Sequence, residues 1–557
     1  MIQTFIRFRL GCAFCAFAIL LLSSSSWAQT APAWSSTRAI GHGSVFGAHV
    51  AIDASGNTYE AGTFNATTSI GGTTLRSVGD TDAYVAKYTP AGVLAWVRQI
   101  GSTGSEGIGD ITVDAAGNAY ITGYFAASIT LGDNLTLVGG NAIIPKIMVI
   151  RYSPQGTPEW VQQNRSTPPN DTAIGSGIRV DASGILYLTG SFDNPLTIES
   201  TTITVPNVKG AYLARLSAAT GALQSLAPIY QYGPLTGNSA SWTSPKLAIS
   251  STGEAYILNS FNQPVIIGTT TLTSRGNEDV LIAKYNAQGT FEWAKQFGGS
   301  GDDIISQGIV DATGSLYIIA DFTGPATLEN TTLQGAGSMD GSLIKYSPDG
   351  TVQWAQTLGS SGADAWYGLS LDAVGNPYIT GDFSNGARLG AITLTSAGKQ
   401  DIVVASYTPQ GQVRWVQQAG GPEVDYGLHV GLDALGNTFV VGRFSNSCSF
   451  GPLSLSSAIN REAFIARLGT TVLATQLSSS TSTLSLYPNP ATDAVMLSGV
   501  PVGSHVQLFD ALGREVRTAL VMSNATVSVR GLIPGLYTLR AVTVEGRLYV
   551  GKLMIEQ

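Results

Sequence analysis

Seven times along this chain one phrase returns: a reference residue, then glycine, an aromatic and phenylalanine at fixed offsets. The reference slot holds Asp53, Asp114, Asp181, Ser250, Asp311, Asp372 and Asp433. Three residues on stand Gly56, Gly117, Gly184, Gly253, Gly314, Gly375 and Gly436. Six on come Tyr59, Tyr120, Tyr187, Tyr256, Tyr317, Tyr378 and Phe439; eleven on come Phe64, Phe125, Phe192, Phe261, Phe322, Phe383 and Phe444. Self-similarity at a fixed period means one supersecondary unit stacked on its own copies, each burying a face that its neighbour covers.

Each copy carries two turn phrases. In "DAAGN" (114–118) the glycine supplies a positive φ and the aspartate bonds nearby amides. In "YTPAG" (88–92) proline fixes φ and glycine ends the turn. The flanking runs are short, β-branched and aromatic, as strands are. One unit therefore holds four strands, A to D, with an apolar excursion between B and C marked by Ile70 and Leu75 in the first copy. The second copy has Thr136 between Leu135 and Leu137 there, which implies one extra residue. Strand D closes on Trp96, Trp160, Trp293, Trp354 or Trp415, and the third copy lacks this tryptophan. The runs are nearly continuous in apolar residues, so both sheet faces are expected to be buried.

These features predict an all-β chain: a seven-bladed β-propeller of four-stranded blades over residues 32–474, then a small C-terminal β-sandwich. The expected repeats lie near 49–110, 111–176, 177–244, 245–306, 307–367, 368–428 and 429–474. A β-solenoid is the alternative, but its coils are shorter and need no paired hairpins. Trp34 stands nineteen residues before Asp53, as Trp96 stands eighteen before Asp114. Residues 32–40 thus read as an orphan strand D that closes the last blade and hides two sheet edges; "TVLAT" (471–475) is the competing candidate. The phrases "VDAAGNAYITG" and "GGSGDD" (298–303) resemble bacterial β-propeller repeats of the SBBP type, with departures at Ser250 and Asn259. That resemblance implies a fold and no activity.

The ends of the chain give an address. Arg7 and Arg9 precede an apolar run from Leu10 to Leu22 and a small-residue stretch ending at Ala28. This is the pattern of a secretory signal over 1–28 cleaved after Ala28, and the run is too short for a membrane span. Cys12 and Cys15 leave with it, so Cys448 stands alone, without a disulfide partner or a cysteine-based zinc site. Residues 475–485 are rich in serine and threonine and read as a linker.

Beyond the linker, Tyr487-Pro488-Asn489-Pro490, Asp510 to Arg514, Gly535-Leu536-Tyr537 and Lys552 resemble the C-terminal sorting domain of the type IX secretion system of Bacteroidetes. The resemblance implies that residues 486–557 engage that machinery. It further implies that the protein is secreted or displayed on the outer cell surface, with the tail removed.

Chemistry is sparser. A formal net charge of −8 excludes nucleic acid as a natural partner. Eight residues before the reference slot, Glu106, Asp303, Asp364 and Asp425 form an acidic series that could converge on a cation such as calcium, or could cap glycine-rich turns locally. A second series, Asp82, Asp279, Asp340, Asp401 and Glu462, opens strand C and is expected to pair with Lys87, Lys284, Lys345 or Arg467 five residues later. His42, His49, His429 and His505 show no ligand spacing, and the shared slot of His49 and His429 reads as structural. No catalytic motif or cofactor loop is present. Two classes of function fit: a monomeric, non-catalytic module binding an extracellular glycan or protein, and a propeller enzyme acting on polysaccharide. The enzyme should plant odd charged residues in one or two copies. The fourth copy instead enters strand A with Lys246 as its one charge, which favours binding.

Overall fold

The computed structural model describes residues 31–42, 45–132, 134–140, 144–165, 172–193, 195–206, 209–232, 244–457, 461–469, 482–498, 500, 502, 504–509, 515–522, 524–542 and 548–556. The signal segment with Ala28, the "TVLAT" stretch and Asp510 to Arg514 lie outside them. The protein is all-β: every regular element among the described residues is a strand. No helix among them is long and apolar enough to cross a membrane. The chain divides into two compact units, to Gly469 and from Thr470.

In the first unit each of the first six repeats contributes strands in A–B–C–D order to an antiparallel sheet, and the seventh contributes A, B and C. In the first repeat these are Val45–Ile52, Thr58–Phe64, Asp82–Tyr88 and Leu94–Ile100. The turn between A and B forms as its residues require. Asp53 Oδ1 accepts from the Ser55 and Asn57 amides at 3.0 and 2.9 Å, and Gly56 adopts φ +80°.

In three copies the aromatic six residues on reaches the next repeat, while Tyr120, Tyr187 and Tyr378 donate to the aspartate of their own copy. The Tyr59 hydroxyl donates to Gly117 O (2.9 Å), Tyr256 to Gly314 O and Tyr317 to Gly375 O. Strand D does the same at the other turn: Trp96 Nε1 donates to Pro154 O and Trp354 Nε1 to Pro409 O. The glycine ending that turn is also a packing requirement, since a Cβ at Gly156 would stand 2.5 Å from the Trp96 ring. All seven repeat phenylalanines are fully buried.

The B–C excursion is a hairpin that leaves its own sheet. Thr67–Ile70 and Thr73–Arg76 pair, and the first of them docks on Trp34–His42 through Gly41 and Ile70. Likewise Leu196–Ile198 joins Pro158–Arg165, Val265–Ile267 joins Leu223–Tyr232, and Ala326–Leu328 joins Phe291–Gly299. Each of these four excursions thus covers part of the outer edge of the preceding sheet, where unpaired backbone groups would otherwise face solvent. In the second copy Ile129 pairs with Leu137, which is fully buried, so Leu137 takes the slot that Leu75 holds in the first copy.

Strand A of each sheet packs beside strand A of the next, and Val45–Ile52 also meets Tyr426–Leu432. The outer strand of the last sheet comes from the other end of the chain: Trp34–His42 pairs antiparallel with Glu462–Leu468, Trp34 opposite Leu468 and His42 opposite Glu462. Cys448 is buried against this seam with Trp34 and Phe450.

The second unit has a five-stranded and a three-stranded sheet around Val495, Leu497, Val506, Leu508, Val527 and Leu539. Ser482–Thr483 pairs parallel with Leu548–Ile555, and Ser485–Tyr487 pairs with Ala494–Ser498. The described end of the expected 475–485 linker is therefore strand, because backbone pairing overrides its polar composition.

Phe322 is fully enclosed and meets Phe297 edge-on at 6.2 Å. Phe322→Ala should cost about 3–5 kcal/mol, as truncating a core aromatic does. Urea unfolding measures it, and a loss under about 1 kcal/mol would contradict enclosure at this slot.

Candidate functional site

The seven strands A lie side by side, and one of their variable slots brings polar and charged side chains together. Four residues before the reference position stand His49, Asp110, Gly177, Lys246, Gln307, Gly368 and His429. In six of these strands the register shifts just before that slot, as between Phe46 and His49 or Ile108 and Asp110. In the fourth copy strand A begins at Lys246. A β-bulge re-aims the side chain beside it. Here the five side chains larger than glycine line one cavity of about 540 Å³, bordered by residues of all seven strands A.

The glycines make room. Asp110 Oδ2 accepts from the Ile178 amide at 3.1 Å, across the gap beside Gly177, and from Arg179 Nη1 at 2.5 Å. Gln307 Oε1 accepts from the Leu369 amide at 2.8 Å, beside Gly368. An acceptor side chain in one copy thus serves the bulged backbone of the next. Lys246 is half-buried, with no hydrogen-bond or ion-pair partner among the described residues. Burial lowers its pKa, opposed by Asp110 and reinforced by Arg179. The His49 and His429 rings lie 5.9 Å apart. Burial first, then the neighbouring cationic groups and His429, bring His49 down to about 3 despite Asp110, so it is neutral in ordinary buffers.

The structure brings His49 and His429, expected to be structural, to the cavity, together with Lys246, the one charge with which the fourth copy enters strand A. The sequence shows this slot only as one of several variable positions in strand A, and that its side chains meet in one cavity is seen only with the strands assembled. Arg179, two residues further along strand A, carried no repeat signal at all.

The acidic series lies elsewhere and does not form one cluster. Glu106 accepts from the Ser102 amide and hydroxyl. Asp364 accepts from the Ser360 and Ser384 amides, and Asp425 from the Gly421 and Ser445 amides. Asp303 accepts from the Gly299 amide at 2.7 Å. These carboxylates hold glycine-rich turns through backbone amides, and Asp364 and Asp425 also tie those turns to the segment after strand B. Among the described residues no group of three or more His, Cys, Asp or Glu is arranged for a metal ion.

The strand-C acids behave similarly. Asp82 accepts from Val78 N and Gln99 Nε2, Asp279 from Arg275 N and Gln296 Nε2. They do not pair with the lysine five residues on, because an odd spacing in a strand puts the two on opposite faces. Lys284 instead binds Glu254 at 2.7 Å and Glu292 at 3.1 Å, and Lys345 lies 3.4 Å from Asp311.

The turn acids and strand acids share glycines. A Cβ at Gly298 would stand 2.6 Å from Asp279 Oδ2 and 2.8 Å from Asp303 Oδ2. Burial, with lesser repulsion from the neighbouring acid, raises Asp303 and Asp364 to about 6 and Asp425 to about 7.

In the second unit, Asn489 Nδ2 donates to Lys552 O and its Oδ1 accepts from Met554 N, each at 2.8 Å, so two expected sorting residues meet. The Tyr537 hydroxyl donates to Ile533 O, while Tyr487 is 77% exposed. Pro488 and Pro490 each follow a cis peptide bond beside it, and Gly535 opens the strand that runs to Val542.

Residues 485–556 match the family model of the secretion system C-terminal sorting domain. Such a domain addresses a protein to the type IX secretion machinery, so this chain is exported to the cell surface or the extracellular space. Over 206 residues the chain is 27% identical to an uncharacterized WD repeat-containing protein of Acanthamoeba polyphaga mimivirus. That match takes in 32% of the chain and spans 15% of the relative's length. Among solved structures, BamB from Moraxella catarrhalis aligns with 78% of this chain and 99% of its own at 12% identity and a TM-score of 0.34. A polysaccharide lyase of family PL25, an ulvan lyase, aligns with 80% of this chain and 95% of its own at 10% identity and a TM-score of 0.38.

A pH dependence follows from the buried acids. Their folded pKa values lie above the unfolded ones, near 4, so the stability they add is full below about pH 4 and is lost as pH rises through 6 to 7. His49 works in the opposite sense, losing stability as pH falls below about 6.5. Three acids outweigh one histidine, so the melting temperature should be higher at pH 5 than at pH 8. Asp425→Asn should reduce that difference; scanning calorimetry at both pH values checks it, and an unchanged difference would count against the buried pair.

Proposed function

We propose that this protein is an exported seven-bladed β-propeller that binds an extracellular ligand in its central channel without transforming it. Its C-terminal β-sandwich would serve as the sorting tail. The seven-bladed reading is supported by the side-by-side strands A, which run from the first sheet round to the last, and by the N-terminal strand that completes the last sheet. On this reading Trp34–His42 closes the ring by strand exchange, the signal segment ends at Ala28, and the mature chain is a monomer. The observation that carries the binding role is one variable slot of strand A: it brings His49, Asp110, Lys246 and His429, with Gln307, from five of the seven sheets to a single cavity.

The second reading, a polysaccharide-acting enzyme, draws on the same groups, with neutral His49 standing near Arg179 and Lys246. A two-carboxylate glycosidase is disfavoured, since hydrolysis of that type needs two facing acids. Asp110 is the one carboxylate among the residues lining the cavity.

Deleting residues 485–556 should leave the protein in the periplasm, read by fractionation and immunoblotting; continued release to the medium would refute the sorting role. Purified protein incubated with a polysaccharide panel should bind without generating new reducing ends or unsaturated products. Sustained product formation would replace the binding role by the enzymatic one.

A further inference from the structure

The cavity carries an electrostatic imbalance that its walls do not resolve. Arg179 is neutralised by Asp110, and both oxygens of that carboxylate are spent: Oδ1 accepts from the Ile111 amide, Oδ2 from Ile178 N and Arg179. Lys246 is left as a cation with no counter-charge in contact, beside two imidazoles and in a chain of net charge −8. An uncompensated ammonium withdrawn from water is unfavourable unless something pairs with it. The hydrogen bonds of the Arg179 guanidinium leave from Nη1, to Asp110 and to Ile178 O, and its other N–H groups have no acceptor among the described residues. Arginine and lysine bring only N–H donors and positive charge to the cavity, and a neutral imidazole adds one donor and one acceptor. A set in which two cationic donors face one spent carboxylate suits an anion better than a cation. The volume, about 540 Å³, is that of a small-molecule site.

We propose that the cavity is an anion site, in which Lys246 and Arg179 bind the carboxylate or sulfate group of a small ligand while His49 and His429 flank it. The proposal rests on the channel reading given above and deepens it by fixing the chemical class of ligand. Lys246 supplies the unpaired charge, and Arg179 supplies directed N–H donors held in place by Asp110. Asp110 is a positioning residue. The ligand's uncharged remainder would extend along the strand-A walls past Ser370 and Thr112, both of which border the cavity.

The test uses the full-length protein and three probes: sodium sulfate, D-galacturonate, and D-galactose as the uncharged twin. Calorimetric titration should show binding of at least one anion and none of galactose. Binding of sulfate alone identifies a sulfate group, and binding of galacturonate alone identifies a sugar carboxylate. Lys246→Met should weaken the anion at least tenfold, and Lys246→Arg should retain it. Because Lys246 is unpaired, Lys246→Met should also melt no lower than the parent, which separates a binding role from a structural one.

Ser370→Trp, which fills the cavity without changing its charge, should abolish binding. If Ser370→Trp blocks a probe that Lys246→Met still binds in full, the channel reading stands and the anion assignment falls. If neither substitution alters binding, both fall. Failure of both anions to bind the parent protein overturns the anion assignment.

Discussion

One kind of hydrogen bond organises the first unit: an aromatic donor on one sheet reaching a turn carbonyl on the next. Tyr59 and Trp96 each reach exactly one repeat along, to Gly117 and Pro154, 58 residues away. The donor sits on a large ring that is itself core, so the bond forms where water is excluded, and the ring packs as the hydroxyl or N–H is satisfied. The acceptor turn must expose its carbonyl and bring no side chain near the ring, which is why glycine ends it. Glycine, proline and tryptophan, joined by tyrosine in three of the copies, are thus parts of a contact spread over two repeats.

A contact repeated at both turns fixes each sheet against its neighbour and leaves little freedom to the strand between. The inner strand is then positioned by its outer partners, and its own residues are released from the pattern. That release makes the slot of His49, Asp110, Lys246 and Gln307 variable, and the bulge before it turns those side chains toward a common space. The buried acids serve the opposite need. Asp303, Asp364 and Asp425 hold glycine-rich turns rigid at the cost of keeping carboxylates out of water, and the shift of their titration toward neutrality is the physical sign of that cost.

Edges are handled by long-range exchange. Most excursion hairpins pair with the sheet before their own, and the first strand of the described chain completes the last sheet. Both devices join segments distant in sequence, so the arrangement cannot be assembled by any repeat in isolation. The sorting unit is built separately around its own aliphatic core, with Asn489 tied to the strand that bears Lys552.

The strand character, the order of strands within a repeat, the turn chemistry and the tail's family were legible in the residues, because each depends on contacts that recur locally or at one fixed period. The role of the turn acids was legible only as one of two options, since a carboxylate beside glycines looks the same whether it caps a turn or binds an ion. What tertiary structure alone decided is where the excursions dock, that Asp82 and Lys87 face apart, and that residues from five sheets meet in one cavity. Those outcomes depend on bulges and on the mutual packing of sheets. A shift of one residue in register redirects every side chain along a strand, and no spacing in the linear chain records on which side of the bulge a given residue falls.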